Sequence, residues 1–211
     1  SHMSDASPQA AYQDIELTTG SWCHDASVKL RVPAHWILTE HDADFAPAMT
    51  AESIETKLRE TLLSASIQGR LHPRSRVTIV VDDHSRPTPV GDVLAPLCKI
   101  LKSCGVEASR VTVLVAVGTH QFRDAHLMNV KLGVLPPGVT LIMPDCRRRG
   151  DYVKCGKLRS GTAAHIHRAF VDADVTVAIS GIYPHDEVSF SGGAKILIGI
   201  LSLESISRLH Q

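Results

Sequence analysis

The chain has 211 residues, 44% of them apolar, and its 22 basic and 22 acidic side chains cancel to a formal net charge of zero. This length suffices for one sizeable α/β domain with a small N-terminal appendage. The balanced charge gives none of the excess of basic side chains that binding to nucleic acid or to an anionic membrane requires. No apolar run approaches the ~20 residues of a membrane span, so the sequence predicts neither a nucleic-acid nor a membrane partner.

The cysteines and the first residues bear on the compartment and on the domain boundaries. The five cysteines are odd in number and show no C-x-x-C spacing, which favours free thiols over a disulfide framework. No secretory signal is recognisable, and free thiols are typical of a reducing compartment, so we expect a cytoplasmic protein. Ser1-His2-Met3 resembles a tag remnant. We interpret residues 1–13 as this remnant and a disordered start, and residues 14–211 as one N-terminal catalytic or cofactor domain.

The first predicted elements are a β unit and a helix. Residues 14–38 contain short alternating stretches broken by glycine and proline, a pattern that predicts a small β unit. Residues 50–64 predict a helix, because apolar side chains recur at every fourth position from Ile54 onward. Thr50 suits the N-cap of this helix.

Strands of the buried type then alternate with helices. The strands are near-continuous runs of β-branched residues, at 77–81, 111–117, 139–143 and 175–179. The helices are predicted at 91–104, 123–131 and 162–171. Pro96 predicts that the first of these helices starts later than residue 91, since proline is best tolerated in a first turn. The predicted fold class is α/β, a Rossmann-like and mostly parallel sheet covered by helices on both faces.

Three of the predicted strands run directly into an unusual polar segment at their carboxyl ends. The segments are Asp82-Asp83-His84-Ser85-Arg86-Pro87-Thr88-Pro89, Gly118-Thr119-His120-Gln121 and Ser180-Gly181-Ile182-Tyr183-Pro184-His185. Ligands of open α/β sheets bind at the carboxyl ends of the strands. We therefore expect the three segments to converge in one crevice.

The first segment is a turn that two prolines stiffen, with Asp83 and Arg86 spaced as D-x-x-R. Arg86 could clamp a carboxylate or a phosphate, because its guanidinium binds such groups in a bidentate manner. Asp83 could hold a ribose hydroxyl or orient a neighbouring side chain. A structural Asp–Arg pair that ties the turn is an equally good interpretation at this stage.

Histidines follow the other two strands. His120 lies at a strand end, where a neutral imidazole can serve as a general base near pH 7. A turn histidine bound to the backbone is the alternative. His185 lies ten residues before Lys195. His210 is the penultimate residue, which on the sequence alone predicts a frayed terminal side chain.

The stretch Ser191-Gly192-Gly193-Ala194 precedes Lys195. Its glycines would allow backbone N–H groups to approach an anion at the start of the next helix, with Lys195 in the first turn. A plain joint between a loop and a helix is the alternative. The spacing matches neither the P-loop nor the G-x-G-x-x-G dinucleotide fingerprint.

Taken together, these motifs resemble those of the nickel-dependent lactate racemase family. The resemblance rests on Asp83-His84-Ser85-Arg86-Pro87-Thr88-Pro89, Gly118-Thr119-His120, Pro184-His185 and Ser191-Gly192-Gly193-Ala194-Lys195. Their order and separations fit the family, and the similarity covers roughly residues 14–210. It implies two α/β domains with the active site between them. This chain would then be the N-terminal domain, with its missing C-terminal domain as a partner.

The resemblance also implies a cofactor. This is a nickel pincer nucleotide, pyridinium-3,5-bisthiocarboxylic acid mononucleotide nickel, which is tethered through a thioamide to a lysine. By motif position Lys195 resembles that lysine, and His210 resembles the histidine that binds nickel. Asp83 resembles an aspartate that contacts the cofactor. Ser191, Gly192 and Gly193 would receive the nucleotide phosphate.

The implied activity is racemisation or epimerisation of a 2-hydroxy acid. His120 and His185 resemble the two catalytic histidines, and Arg86 resembles an arginine that contacts the substrate. Hydride would pass to the cofactor and back through a 2-keto acid, because the C–H bond of an unactivated alcohol is not acidic enough for proton abstraction. Two alternatives stay open, a non-catalytic module that binds a nucleotide or cofactor and a conventional NAD-dependent oxidoreductase. The missing dinucleotide fingerprint counts against the second.

Overall fold

The computed structural model describes residues 11–18, 22, 26–39, 47–64, 67, 69–120, 124–185 and 189–209. The chain divides into two compact units, Ser1–Ala48 and Met49–Gln211. In the first unit, β1 (Tyr12–Thr18) and β2 (Ser27–Pro33) pair in an antiparallel manner, which confirms the small β unit. Of the segment for which the sequence predicts a tag remnant and a disordered start, residues 1–10 lie outside the described residues. Its last two residues belong to β1.

The hairpin of the first unit is amphipathic. Asp14 lies opposite Arg31, and their side chains form an ion pair at 2.9 Å. The neighbouring pair, Ile15 opposite Leu30, lies on the other face, because successive side chains of a strand alternate. The alternating residues that predict this element thus lie on its two faces.

The second unit contains the central sheet. Its main elements are α1 (Ala51–Leu62), β3 (Val77–Asp82), α2 (Val90–Ser103), β4 (Val111–Ala116), α3 (Ala125–Leu132), β5 (Thr140–Ile142), β6 (Tyr152–Lys157), β7 (Ala163–His167), α4 (Arg168–Val171), β8 (Val175–Ile179), β9 (Pro184–His185), β10 (Ser189–Phe190), a 3-10 helix (Gly193–Ile200) and α5 (Leu203–Leu209). Strands β5, β4, β3 and β8 form a parallel sheet in that order. All six residues of the central strand β3 are buried.

Both faces of the parallel sheet are covered, as the uniform Val/Ile character of its strands predicts. Ile79 and Val81 pack into a large core together with buried side chains of α2 and α3. Val80 points to the opposite face and packs with Ile196 and Ile200 of the 3-10 helix. The predicted α/β fold is confirmed. Within the described residues, no helix has the length and apolar character that crossing a membrane would need.

Two local predictions are wrong. Helix α2 begins at Val90, so that Pro96 lies beyond its first turn. An interior proline costs about 3 kcal/mol, but Val90, Leu94 and Leu97 are at most 1% exposed. The burial of each such side chain contributes about 1.5–3 kcal/mol, which outweighs that cost.

The second wrong prediction is the helix at 162–171. Only Arg168–Val171 is helical, whereas Ala163–His167 forms strand β7 and pairs with β6. Tertiary pairing overrides the weak intrinsic helix propensity of this stretch. The His167 side chain closes the strand and caps the short helix, since its Nδ1 atom accepts the Ala169 N–H at 3.2 Å.

Candidate active site

The carboxyl ends of β3, β4 and β8 open into one cavity of about 550 Å³. All three polar segments that follow these strands contribute to its wall, which is the predicted convergence. The 3-10 helix and α5 supply the remaining side. The lining includes Asp82, Asp83, Arg86, Gly118, Thr119, His120, Ser180, Gly181, Tyr183, His185, Ser191, Gly192, Lys195 and Gly199.

Most of the predicted site residues therefore lie on one cavity. The set comprises Asp83, Arg86, His120, His185, Ser191, Gly192 and Lys195. Gly193 starts the 3-10 helix and is not among the lining residues. His210, the predicted nickel ligand, lies outside the described residues. The role of each of these residues stays a prediction.

Asp83 and His120 form a carboxylate–imidazole pair. The Nδ1 atom of His120 lies 2.6 Å from Asp83 Oδ2, which fixes Nδ1–H as the donor toward an ionised carboxylate. The other oxygen, Asp83 Oδ1, accepts the backbone N–H of Ser85 at 2.8 Å and also its hydroxyl. This is an Asx-type turn, in which the aspartate side chain shapes the backbone that follows it.

The two members of the pair stabilise each other's charged forms. Burial is the largest effect on Asp83 and raises its pKa, but the hydrogen bonds from His120 and Ser85 outweigh burial and lower the pKa to about 2. The hydrogen bond to Asp83 raises the pKa of His120 above its usual value, against the opposing effects of burial and of Arg86. The Asp83 side chain is 5% exposed and that of His120 is 46% exposed. The imidazole is thus anchored on one side and accessible on the other.

Lys131 is a feature of the site that the sequence reasoning missed. It lies in the last turn of α3, and its ammonium donates to the carbonyl oxygens of Asp83 at 2.7 Å and Arg86 at 2.5 Å. It also lies 3.0 Å from Asp82 Oδ1. Lysines on helices are usually solvated, so a single lysine in α3 gave no signal. The adjacent Asp82 and Asp83 at a buried strand end were the available hint, because a buried carboxylate requires a partner.

Asp82 joins the first polar segment to the third. Its Oδ2 atom accepts the Thr88 hydroxyl at 2.5 Å, and Thr88 Oγ1 in turn accepts the backbone N–H of Gly181 at 2.9 Å. The Tyr183 hydroxyl lies 3.3 Å from the same Thr88 oxygen. Segments almost 100 positions apart in sequence are thereby held in one hydrogen-bonded network. The polar wall of the cavity is preorganised by these contacts.

Glycines allow the 3-10 helix to approach the sheet. A Cβ atom on Gly199 would lie 2.5 Å from that of Ala116 at the end of β4, and the Gly199 carbonyl accepts the N–H of Gly118 at 2.8 Å. Gly192 caps the start of the helix with φ of 81°. The Lys195 N–H donates to the Gly192 carbonyl at 3.2 Å, so Lys195 lies in the first turn of the 3-10 helix, as predicted, and it lines the cavity.

His185 is presented by a pair of antiparallel strands of two residues each. Strand β9 carries it, and Ser189 of β10 lies opposite. Ser191 stabilises this strand pair, because its N–H donates to the Tyr183 carbonyl at 2.8 Å and its hydroxyl oxygen accepts the Tyr183 N–H at 3.2 Å. Ser191 thus binds the backbone of Tyr183, and its contact with a cofactor stays a prediction.

The described residues contain no group of three His, Cys, Asp or Glu side chains that could hold a metal ion. The predicted nickel ligand, His210, is outside that set of residues.

Comparison with known proteins identifies the family. The model of the lactate racemase N-terminal domain matches residues 24–211. The chain belongs to this family. It is 29% identical over 177 residues to the lactate racemase of Thermoanaerobacterium thermosaccharolyticum, which covers 82% of the chain and 41% of that protein. It is 28% identical over 161 residues to the lactate racemase of Lactiplantibacillus plantarum, which covers 75% of the chain and 38% of that protein. The chain thus spans about two-fifths of the length of these relatives.

Solved structures agree on the fold. The lactate racemase apoprotein of Thermoanaerobacterium thermosaccharolyticum superposes with a TM-score of 0.68 at 27% identity, over 92% of this chain and 45% of that one. A protein of Thermotoga maritima superposes with a TM-score of 0.65 at 24% identity, over 77% and 41% of the two chains. The second likeness shows the fold alone.

Proposed function

We propose that this chain is the N-terminal part of a racemase or epimerase of a 2-hydroxy acid. The observation that carries the proposal is the Asp83–His120 pair at 2.6 Å, on a cavity that His185 and Lys195 also line. Membership of the lactate racemase N-terminal domain family supports it. The relatives are about twice as long as this chain, which supports a further domain that completes the site.

The residues fit a nickel pincer nucleotide attached to Lys195. A cavity of about 550 Å³ lies within the usual range for cofactor sites. Gly118, Gly181, Gly192 and Gly199 all line it, so that main chain forms much of its wall and a flat ring or a phosphate can approach closely. Arg86 and Lys195 supply positive charge for the acidic groups of such a nucleotide. When bound, this group supplies an acceptor that takes the hydrogen on the alcohol carbon as hydride and returns it.

His120 is suited to take the proton of the substrate hydroxyl. Because Asp83 holds Nδ1–H, the lone pair of the neutral imidazole is on Nε2, and the side chain is 46% exposed. The ionised Asp83 then stabilises the imidazolium that forms when the proton arrives. This arrangement makes His120 a general base whose tautomer is fixed before the substrate binds.

His185 is the second base. The two enantiomers of a 2-hydroxy acid present their hydroxyl groups on opposite sides of the reacting carbon, so a reversible racemase needs a proton acceptor on each side. His120 follows β4, whereas His185 lies in β9, which comes after β8 and pairs with β10. The two histidines thus reach the cavity from strands on either side of β3.

Arg86 is the carboxylate clamp for the substrate. It is half-buried on the cavity wall, and its backbone carbonyl is fixed by Lys131. A guanidinium binds a carboxylate through two parallel hydrogen bonds, which orients the adjacent carbon that bears the hydroxyl group. His210 completes this proposal as the nickel ligand, since imidazole is a good ligand for nickel.

Mass spectrometry tests the cofactor. The full-length protein is produced in cells that make the nickel pincer nucleotide, denatured, and analysed by intact mass and peptide mapping. We expect an adduct on Lys195 that is absent from Lys195→Ala and present in Lys99→Ala, in which an exposed lysine of α2 is replaced. An unmodified Lys195 in full-length protein, with a known relative loaded in the same cells, would contradict the tethered cofactor. A module that binds without catalysis would then be the better interpretation.

A further inference from the structure

Lys131 is buried almost completely although it is a lysine on a short surface helix. Its side chain is 1% exposed, and that of its ionic partner Asp82 is 11% exposed. Burying an ammonium is costly, and a buried ion pair is often no more stabilising than apolar side chains of similar volume. A contribution to the stability of the fold therefore does not explain why a lysine occupies this position.

The contacts of Lys131 point to the turn that carries Asp83 and Arg86. Its ammonium donates to the backbone carbonyl of each of these residues, from a position 48 residues away from the first and 45 from the second. The Arg86 N–H donates to the Asp83 carbonyl at 3.2 Å, so these two residues form a turn. The ammonium of Lys131 binds the carbonyl oxygens of both residues and thereby stabilises this turn. The backbone position of Asp83 in turn sets where its carboxylate lies.

We propose that Lys131 is a positioning residue that holds the Asp83 carboxylate against the imidazole of His120. Asp82 is the counterion that keeps this buried ammonium in place. The proposal rests on the proposed function only for the significance of His120 as a base. The relationship between Lys131, Asp83 and His120 is a property of the chain itself and can be measured without cofactor or substrate.

A purely electrostatic effect of Lys131 and a positioning effect predict opposite changes in the pKa of His120. His120 interacts with the carboxylate of Asp83 and with the guanidinium of Arg86. Lys131 interacts with Asp82, Asp83 and Arg86. If Lys131 acted on His120 only as a positive charge, its removal would relieve repulsion and raise the histidine pKa. If Lys131 positions Asp83, its removal releases the carboxylate, and the pKa of His120 falls.

The experiment is an NMR titration of His120 in the intact chain, with its resonance assigned by loss of the signal in His120→Asn. We expect Lys131→Met to lower the pKa of His120 by roughly half a pH unit or more. Asp83→Asn removes the carboxylate and so gives the largest fall expected in the pKa of His120. In the double variant Asp83→Asn/Lys131→Met, this pKa should be no lower than in Asp83→Asn alone. An unchanged or raised pKa in Lys131→Met, with a lowered one in Asp83→Asn, would overturn the proposal.

Two further variants separate positioning from stability. Met128→Ala removes a side chain that is 0% exposed from the same helix, so it destabilises α3 and retains the ammonium. We expect the pKa of His120 to be unchanged in Met128→Ala, and a fall there would overturn the proposal. The double variant Asp82→Asn/Lys131→Met buries no unpaired charge, so it should stay folded even if Lys131→Met does not. Failure of both Lys131 variants to fold would show a structural role and also overturn the proposal.

Failure of this proposal is distinguishable from failure of the proposed function. The titration needs no bound group, so an absent adduct on Lys195 leaves its outcome unaffected. A His120 pKa that stays as high in Lys131→Met as in the unchanged protein leaves the two-histidine mechanism standing, because Asp83 would then be held by its own turn with Ser85.

Discussion

His120 Nδ1 lies 2.6 Å from Asp83 Oδ2, although the two residues are 37 positions apart in sequence. They meet because β3 and β4 are parallel neighbours in register, with Asp82 opposite Ala116, so both strands deliver their carboxyl-terminal segments to the same edge. The pair couples the acid–base chemistry of the site to the topology of the sheet.

The pair should make stability depend on pH in a defined window. Asp83 has a lowered pKa, about 2, so its contribution is present above the ordinary carboxylate pKa and is lost as the pH falls toward 2. His120 has a raised pKa, so its contribution is full below its ordinary value and is lost as the pH rises through the raised value. We expect Asp83→Asn to reduce the free energy of unfolding most between roughly pH 4 and 6.5.

Urea unfolding at pH 5 and pH 9 measures this effect. The expected loss in Asp83→Asn is about 1 kcal/mol at pH 5, since the imidazole is partly solvated and its ion pair is screened. At pH 9 the loss should be smaller, because the imidazole is then neutral. Asp172→Asn, which replaces an exposed carboxylate, is the control and should show no such window. An equal loss at the two pH values for Asp83→Asn would contradict the ionic character of the pair.

Gly192 and Gly193 form a matched pair for testing the wall of the cavity. Both have positive φ, 81° and 55°, but a Cβ atom on Gly192 would lie 2.3 Å from the Gly181 carbonyl oxygen, whereas one on Gly193 meets nothing within 4 Å. We expect Gly193→Ala to cost about 1 kcal/mol from backbone strain alone. Gly192→Ala should cost about 3 kcal/mol, because backbone must move as well. Thermal or urea unfolding checks this, and equal losses in the two variants would refute the tight approach.

Arg86→Lys tests the carboxylate clamp in the full-length protein. The variant keeps the charge and loses the planar fork, so we expect KM for a 2-hydroxy acid to rise about tenfold or more. The effect on kcat should be smaller, because the contact forms in the ground state as well as in the transition state. Steady-state kinetics measure both constants, with Arg147→Lys on an exposed turn as the control. An unchanged KM in Arg86→Lys would remove Arg86 from the substrate contacts.

The sequence was informative where one physical rule dominates. Runs of Val and Ile bounded by helices predict a parallel sheet, and parallel strands bring their polar ends together, so the cavity with Asp83, His120 and His185 followed from the order of the elements. The membership of β7 in a hairpin did not follow, because the residues of Ala163–His167 have no strong preference and their pairing with β6 decides. Glycine at 199 gave no local signal, since its need arises from contact with Ala116.

Lys131 shows the same limit at the site itself. Its position in the last turn of α3 matches the usual preference for a cation near a helix C-terminus, which is a solvated arrangement. Only the three-dimensional path of the turn that carries Asp83 and Arg86 brings two carbonyl oxygens to its ammonium. A contact between a side chain and a distant backbone has no counterpart in residue periodicity or spacing.

The fate of deuterium at C2 of the substrate is the sharpest test of the proposed reaction. The full-length protein, loaded with cofactor, is given each enantiomer of lactate labelled with deuterium at C2, in ordinary water, followed by a panel of other 2-hydroxy acids. Chiral chromatography with mass detection follows both configuration and label, and His120→Ala and Lys195→Ala serve as inactive references. We expect the loaded protein to interconvert the enantiomers of at least one acid with deuterium kept at C2. Interconversion with loss of deuterium to water, or no interconversion by the loaded protein with any acid, would contradict it.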